Sequence, residues 1–247
     1  MQLPVLNNQP REKAWHHPDG RLAVHKIFDT IQGEGPYVGC SATFVRLSGC
    51  NLQCPGCDTI YTDPADAVMT PAEIVSTIQK MTWGKRIGKK KLVVITGGEP
   101  LRQNVVPLIK AIADAGMKSQ IETNGTMFVP GLTSLLLNQC DCIIICSPKT
   151  PSLHRQIIPL IHTYKYVMDS ENVDPTDGLP SITLGGNRPA RPEPEWKGTI
   201  LLHPTDPGSK TPEAVESYTK NIASVVESCM KFGYRLGLQV HKYLGME

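Results

Sequence analysis

The chain has 247 residues, 40% of them hydrophobic and 19% charged, and its 25 Lys and Arg against 23 Asp and Glu leave a net charge of +2. That length suits one large α/β domain, and so small a charge excludes a whole-chain field demanding nucleic acid or a membrane surface as partner. Collagen-like, coiled-coil, disulfide-scaffold and membrane-spanning classes are excluded too: apolar runs such as Leu92 to Ile95 and Cys142 to Cys146 are strand-length, far short of the roughly 20 residues of a span.

Residues 1–23 read as an N-terminal extension, whose Asn7, Asn8, Pro10 and Arg11 lack the apolar stretch of a signal peptide, and residues 24–247 as one domain. A first strand runs from Ala42 to Ser48. Thr70-Pro71-Ala-Glu73 opens a helix, with Thr70 as N-cap. Leu92 to Thr96 is a buried second strand, and a helix from Ile109 to Ala115 stops at Gly116. Strand Ser119 to Thr123, a helix around Leu132 to Leu137 and strand Asp141 to Cys146 follow. A short helix near His154 to His162 leads to strand Tyr164 to Met168. Residues 171–198, with five prolines and four glycines, read as an irregular insertion. Strand Thr199 to Leu202, a helix from Thr211 to Gly233 and strand Tyr234 to Val240 complete the pattern. Apolar strands separated by helices imply a parallel sheet with helices on its faces. Six or seven such units fit a partial (β/α)6-type TIM-like barrel, with chemistry at the strand C-terminal ends.

In a chain read as cytoplasmic, thiols stay reduced, so the 8 cysteines direct attention to metals and redox chemistry. Cys50, Cys54 and Cys57 form a Cys-x3-Cys-x2-Cys loop just after the first strand, with Gly49, Pro55 and Gly56 to let it fold around one centre. A structural zinc site takes four protein ligands and a cubane normally four cysteines, so three thiolates leave one position open. A zinc knuckle completed by a remote His or Cys is the alternative.

This spacing is the hallmark of the radical S-adenosylmethionine (SAM) enzymes. Gly97-Gly98-Glu99-Pro100, after the second strand, resembles their second hallmark, a backbone edge for the SAM amino group. Phe28-Asp-Thr-Ile-Gln-Gly-Glu-Gly35, Cys57-Asp58-Thr59 and Gln239-Val-His241-Lys-Tyr-Leu-Gly245 narrow the resemblance to the 7-carboxy-7-deazaguanine synthase family, from about Val24 to the end. The first twenty-odd residues and the Pro-rich insertion depart from it.

The resemblance implies a lyase that converts 6-carboxy-5,6,7,8-tetrahydropterin to 7-carboxy-7-deazaguanine, a precursor of queuosine, with loss of ammonia. It implies a 4Fe-4S cluster on Cys50, Cys54 and Cys57, SAM regenerated each turn, and Mg2+ on Thr59. Substrate contacts would come from Ile31, Gln32, Gly33, Glu34, Arg46, Thr96 and His241. SAM contacts would come from Gly98, Glu122, Ser147, Pro148, Lys149, His203, Pro204, Thr205 and Asp206, where His203 departs from the family's usual Gln. An electron donor such as flavodoxin and a homodimer are further implied, with no nucleic-acid or membrane partner. A glycyl-radical-activating enzyme shares the cysteine motif but not Gln-Gly-Glu-Gly.

Three features read as less informative. Cys140, Cys142 and Cys146 share one strand face and read as buried packing. Lys85, Arg86, Lys89, Lys90 and Lys91 read as a solvated loop, or as a dock for an acidic electron donor. His16 and His17 read as inert.

Overall fold

The computed structural model describes residues 7–62, 67–81, 91–138, 140–183 and 186–246. The described residues form nine strands: β1 Leu22–Ile31, β2 Ser41–Leu47, β3 Ala67–Met69, β4 Leu92–Gly97, β5 Lys118–Thr123, β6 Cys142–Cys146, β7 Ile161–Met168, β8 Thr199–Pro204 and β9 Arg235–Leu236. The helices are α1 Pro71–Lys80, α2 Val106–Asp114, α3 Leu132–Asn138, α4 Pro212–Phe232 and α5 Val240–Leu244. All nine strands join one sheet in the order β3-β1-β2-β4-β5-β6-β7-β8-β9. From β2 to β9 every pairing is parallel, while β1 is antiparallel to both its neighbours. This non-closed sheet is a partial TIM-like barrel.

Local chemistry sets the helix ends. Thr70 and Glu73 form a reciprocal capping box on α1, and Thr211 caps α4, which ends on Gly233 in the left-handed conformation at φ 75°. The apolar faces of α1 and α2 pack on the outer faces of the strands, in a core that includes Ile74, Ile78, Val93, Ile95, Ile109, Ile112 and Ile121. A smaller cluster of Ala42, Leu92 and Val94, flanked by Phe44, sits apart from it.

Several expectations need correction. Leu22–Ile31 is a strand preceding the one expected first; His25 and Lys26 interrupt its apolar alternation, where the pairing register also shifts. The helix expected near 154–162 is only a 3₁₀ turn at Ile158–Leu160, because the strand already begins at Ile161. The expected last strand, 234–240, is two residues long and is followed by α5. Helix α2 starts at Val106, three residues earlier than expected. The β6–β7 and β7–β8 connections therefore carry no α-helix among the described residues.

The Pro-rich insertion is irregular but tied down. Tyr166 Oη donates to Ala190 O at 2.7 Å, Trp196 Nε1 donates to Ile161 O at 3.0 Å, and Arg191 pairs with Asp177 at 2.7 Å. Cys142 and Cys146 are in the core with Cys140 against it. Lys85, Arg86, Lys89 and Lys90 lie outside the described residues; Lys91 donates to Ile78 O at 3.0 Å and pairs with Asp29 at 3.6 Å.

A buried glutamine stitches β1 to the loop after β2. Gln103 Oε1 accepts from Ala23 N at 2.8 Å, and its Nε2 donates to Ala23 O at 3.0 Å and Ser48 O at 3.2 Å. Replacing it by Leu removes the partner of Ala23 N and Ser48 O, while Ala23 O keeps Ser48 N at 3.0 Å, so Gln103→Leu is expected to destabilise the chain by about 2 kcal/mol in urea unfolding. A loss below about 0.5 kcal/mol, the scale of an ordinary surface change, would show that water replaces the side chain.

Candidate active site

The three-thiol loop starts at the C-terminal end of β2 and is folded back against β4. Gly49 N donates to Tyr61 O at 2.9 Å, closing the loop, and Glu99 N donates to Gly49 O at 3.0 Å. A methyl group on Gly98 would lie 2.3 Å from Gly49 O and 2.8 Å from Cys50 Cβ, so the glycine edge touches the first cysteine directly. Gly97, at φ 147°, leaves even less room: its Cβ would lie 2.1 Å from Leu47 O. Only glycine permits this approach.

Behind that edge, Glu99 is fully buried and ties two strand ends together. It accepts from Leu101 N at 2.9 Å, Thr123 Oγ1 at 2.7 Å and Asn124 N at 2.7 Å. Burial outweighs these hydrogen bonds and pushes its pKa up to about 7. Asn124 then donates to Asn51 Oδ1 at 3.0 Å, anchoring the cysteine loop to the end of β5.

Cys50 is buried, Cys54 half-buried and Cys57 exposed. Burial pushes the Cys50 thiol up to about 12, and the negative charges of Glu99, Cys54 and Cys57 add to the effect. Burial raises Cys54 and Cys57 as well, and Lys149 acts on both from the other side. Such thiols become thiolates readily only when a cation takes the place of their protons. Among the described residues no three His, Cys, Asp or Glu side chains are gathered as ligands of a single metal ion.

On the strand face beside the loop, register brings the expected residues into a row. Arg46 is the partner of Thr96, and pairing of Ile95 with Ile121 places Thr96 beside Glu122. The Arg46 guanidinium lies 5.4 Å from the centre of the Phe28 ring, and its buried Nε has no hydrogen-bond partner.

The Gln-Gly-Glu-Gly segment reaches this row from the antiparallel side. The turn after β1 sends Gln32 Nε2 to Glu122 Oε1 at 3.0 Å, while Glu34 pairs with Lys165 Nζ at 2.5 Å. Lys165 also holds Glu122 at 3.2 Å, so one lysine bridges two carboxylates. Burial works against the charge on Glu34, but Lys165, His203 and Gln239 hold its carboxyl well below the usual range. Burial likewise works against Lys165, yet its two carboxylates hold the ammonium well above its ordinary value.

The C-terminal motif closes over the same segment. Gln239 Nε2 donates to Glu34 Oε1 at 2.6 Å, and Val240 N donates to Gly33 O at 3.1 Å. A methyl on Gly33 would fall 2.0 Å from His241 Nδ1, so the imidazole packs directly against this glycine, which follows Ile31 and Gln32 in the chain.

The remaining expected residues divide. Lys149 Nζ donates to Ser147 Oγ at 2.6 Å beyond Cys146, with Pro148 between them, and burial together with Lys165 lowers its pKa. His203 is buried, with neither ring nitrogen hydrogen-bonded, and burial lowers its pKa to about 4. Asp206 instead turns to Lys242 at 2.9 Å, and the carbonyl of Thr205, the residue after Pro204, accepts from Asn221 Nδ2 at 2.8 Å. The Thr59 hydroxyl lies 3.2 Å from Asp58 Oδ1 on the exposed side of the loop.

Lys165, Gln239 and Gln120, whose Nε2 donates to Glu122 Oε1 at 2.8 Å, were not among the expected site residues. The signal for Lys165 was present: a lysine between Tyr164 and Tyr166 in a mostly buried strand. A buried lysine needs partners, and partners in a barrel interior mark a site.

Residues 44–170 match the family model described as the radical SAM superfamily, so the partial barrel and the open three-thiol loop are those of a radical SAM protein. The superfamily implies a 4Fe-4S cluster and SAM, and the thiol trio beside a glycine edge fits both. A 7-carboxy-7-deazaguanine synthase from Rhodospirillum rubrum is 39% identical over 232 residues, covering 90% of this chain and 92% of the relative. One from Rickettsia prowazekii is 31% identical over 249 residues, covering 98% of this chain and 96% of the relative. The chain belongs to the 7-carboxy-7-deazaguanine synthase family. A crystal structure of QueE from Escherichia coli shares the fold, with a TM-score of 0.61 and 23% identity over 90% of this chain and 95% of that one. These relatives favour neither the activating-enzyme nor the zinc-module alternative.

Proposed function

We propose that this chain is the radical lyase that converts 6-carboxy-5,6,7,8-tetrahydropterin to 7-carboxy-7-deazaguanine and ammonia. The observation that carries the reading is the contact of Gly98 with Gly49 and Cys50, with Arg46 and Thr96 paired on the adjoining strands. When bound at the three thiolates, the cluster and SAM supply a 5′-deoxyadenosyl radical able to take hydrogen from the substrate carbon.

The chain's own part is to place the substrate. Arg46, with its unpartnered Nε, would take the carboxylate, because a guanidinium fork matches that group bidentately. Thr96 stands beside it in register. Ile31, Gln32, Gly33 and Glu34 would receive the pterin's N–H edge, held in position by Lys165, Gln239 and His241. Gly98, Ser147, Pro148, Lys149, His203, Pro204 and Thr205 would line the SAM side. Glu122 serves both, although its present partners Gln32 and Lys165 set it toward the substrate. Asp206, paired with Lys242, would join only by releasing that lysine.

The reading extends to Mg2+ at Thr59, where the Asp58 carboxylate adds a second oxygen of the kind Mg2+ prefers. It also takes in one domain over residues 24–247 with residues 1–23 as extension, an external one-electron donor such as flavodoxin, a homodimer and a cytoplasmic location. These rest on the family resemblance and on composition.

The test is anaerobic incubation of iron-loaded protein with the carboxypterin, SAM, dithionite and Mg2+. The expected product is the 7-deazapurine, with SAM largely conserved. Release of 5′-deoxyadenosine without that product would move the chain to another branch of the superfamily.

A further inference from the structure

The N-terminal extension does not hang away from the barrel. Residues 7–15 run along the outside of the cysteine loop, Asn7 and Gln9 turning inward and Asn8 and Pro10 outward, the alternation of an extended chain. Asn7 Nδ2 donates to Cys54 O at 3.1 Å, and Asn7 O accepts from Gln53 Nε2 at 3.1 Å. Gln9 Nε2 donates to Thr59 O at 3.0 Å, while its Oε1 accepts from Tyr61 N at 2.6 Å and Thr62 Oγ1 at 3.2 Å. Glu12 N donates to Cys50 O at 2.7 Å.

The far end of the segment is anchored. Glu12 pairs with the buried Arg102, and Trp15 N donates to Arg102 O at 2.9 Å. That arginine fills the space above Gly49, where a methyl group would lie 2.2 Å from its Nη2. The positive charge of Arg11 also acts on Cys54.

We propose that residues 7–15 are a strap that keeps the cluster on the protein, with Asn7, Gln9 and Glu12 as positioning residues for the cysteine loop. The inference rests on the reading of Cys50, Cys54 and Cys57 as cluster ligands. The carbonyls of Cys50, Cys54 and Thr59 each accept a hydrogen bond from the strap, Cys54 O also accepting from Cys57 N at 3.2 Å. Without it these groups turn to water, and a loop rich in Pro and Gly has little else to hold two of its three sulfurs in place. Asn51 anchors the loop on its inner side, and the strap holds its outer side.

The test compares wild-type protein with the full-length double variant Asn7→Ala/Gln9→Ala. Each is loaded anaerobically to the same iron and sulfide content and then challenged with a ferrous chelator. Loss of the cluster's visible absorbance is expected to be at least about tenfold faster in the variant, equivalent to about 1.4 kcal/mol if closing of the loop controls release. Gln9→Glu, which keeps the acceptor for Tyr61 and loses the donor to Thr59, is expected to fall between. Tyr166→Phe, which removes a buried hydrogen bond remote from the loop, is the control for general loosening.

Equal release from the double variant and wild type would overturn the strap, as would equally fast release from Tyr166→Phe. A wild-type chain that assembles no cluster at all would overturn the ligand reading beneath it.

Discussion

Gly98→Ala is expected to leave a folded, iron-loaded protein whose turnover falls about 100-fold, the penalty of displacing reacting groups by about 1 Å. The added methyl would sit 2.3 Å from a backbone oxygen and 2.8 Å from Cys50 Cβ, and neither can swing aside as a flexible side-chain tip would. The edge or the cysteine loop must shift, and each movement would displace the residues proposed to hold SAM from those proposed to hold the cluster. Gly116→Ala is the control: at φ 74° it has nothing within 4 Å, so it meets only the strain of a left-handed residue, about 1 kcal/mol. Anaerobic turnover per loaded cluster, with circular dichroism as the check on folding, decides the matter. Turnover of Gly98→Ala within threefold of wild type would show that the contact yields without consequence.

The second large effect is expected at Lys165. Lys165→Met removes the one cation that bridges Glu34 and Glu122, stranding buried negative charge at a cost of about 3 kcal/mol. The pH dependence gives the expectation a second handle. Glu34 is held below its ordinary value of 4.5, so its contribution to wild-type stability is present above that pH and lost as pH falls below it. Lys165 is held above 10.5, so its contribution is present below that pH and lost only as pH rises past it.

The deficit of Lys165→Met should therefore be full at neutral pH. It should shrink as pH falls toward 4.5 and below, because burial, no longer offset by Lys165, favours protonation of the abandoned carboxyl, and below 4.5 the wild-type contribution is itself lost. Urea unfolding at pH 7 and pH 4 measures both. A deficit that stays constant across that range would mean that lost packing, not charge, is what the lysine supplies. Glu34→Gln combined with Lys165→Met should recover part of the stability but none of the turnover, since the carboxylate proposed to receive the substrate is then gone.

Much of the site was legible because its chemistry is written in short spacings. Three thiols within eight residues can share a centre if Gly49 and Gly56 let the loop turn, and a glycine pair straight after a buried strand marks a close backbone approach. The caps of α1 and α4 were legible for the same reason: Thr70 and Thr211 bond to amides three residues away, so nothing distant can overrule them. Strand β1 was not legible, because its polar residues are tolerated only through antiparallel pairing with β2 and β3. The 3₁₀ turn at Ile158–Leu160 was not legible either, since parallel pairing with β6 and β8 draws residues 161–163 into a strand.

The sequence by itself therefore determined the spacing of the three cysteines, the glycine edge, the helix ends and the family to which these belong. Only the tertiary structure decided that Lys165 meets Glu34 across 131 residues, that Gln239 meets Glu34 across 205, and that Asn7 and Gln9 clasp a loop some fifty residues away. The reason is physical: a ligand spacing or a cap is settled within one or two turns of chain. A buried charge finds its partner only after strand register and barrel curvature have chosen which side chains share the interior.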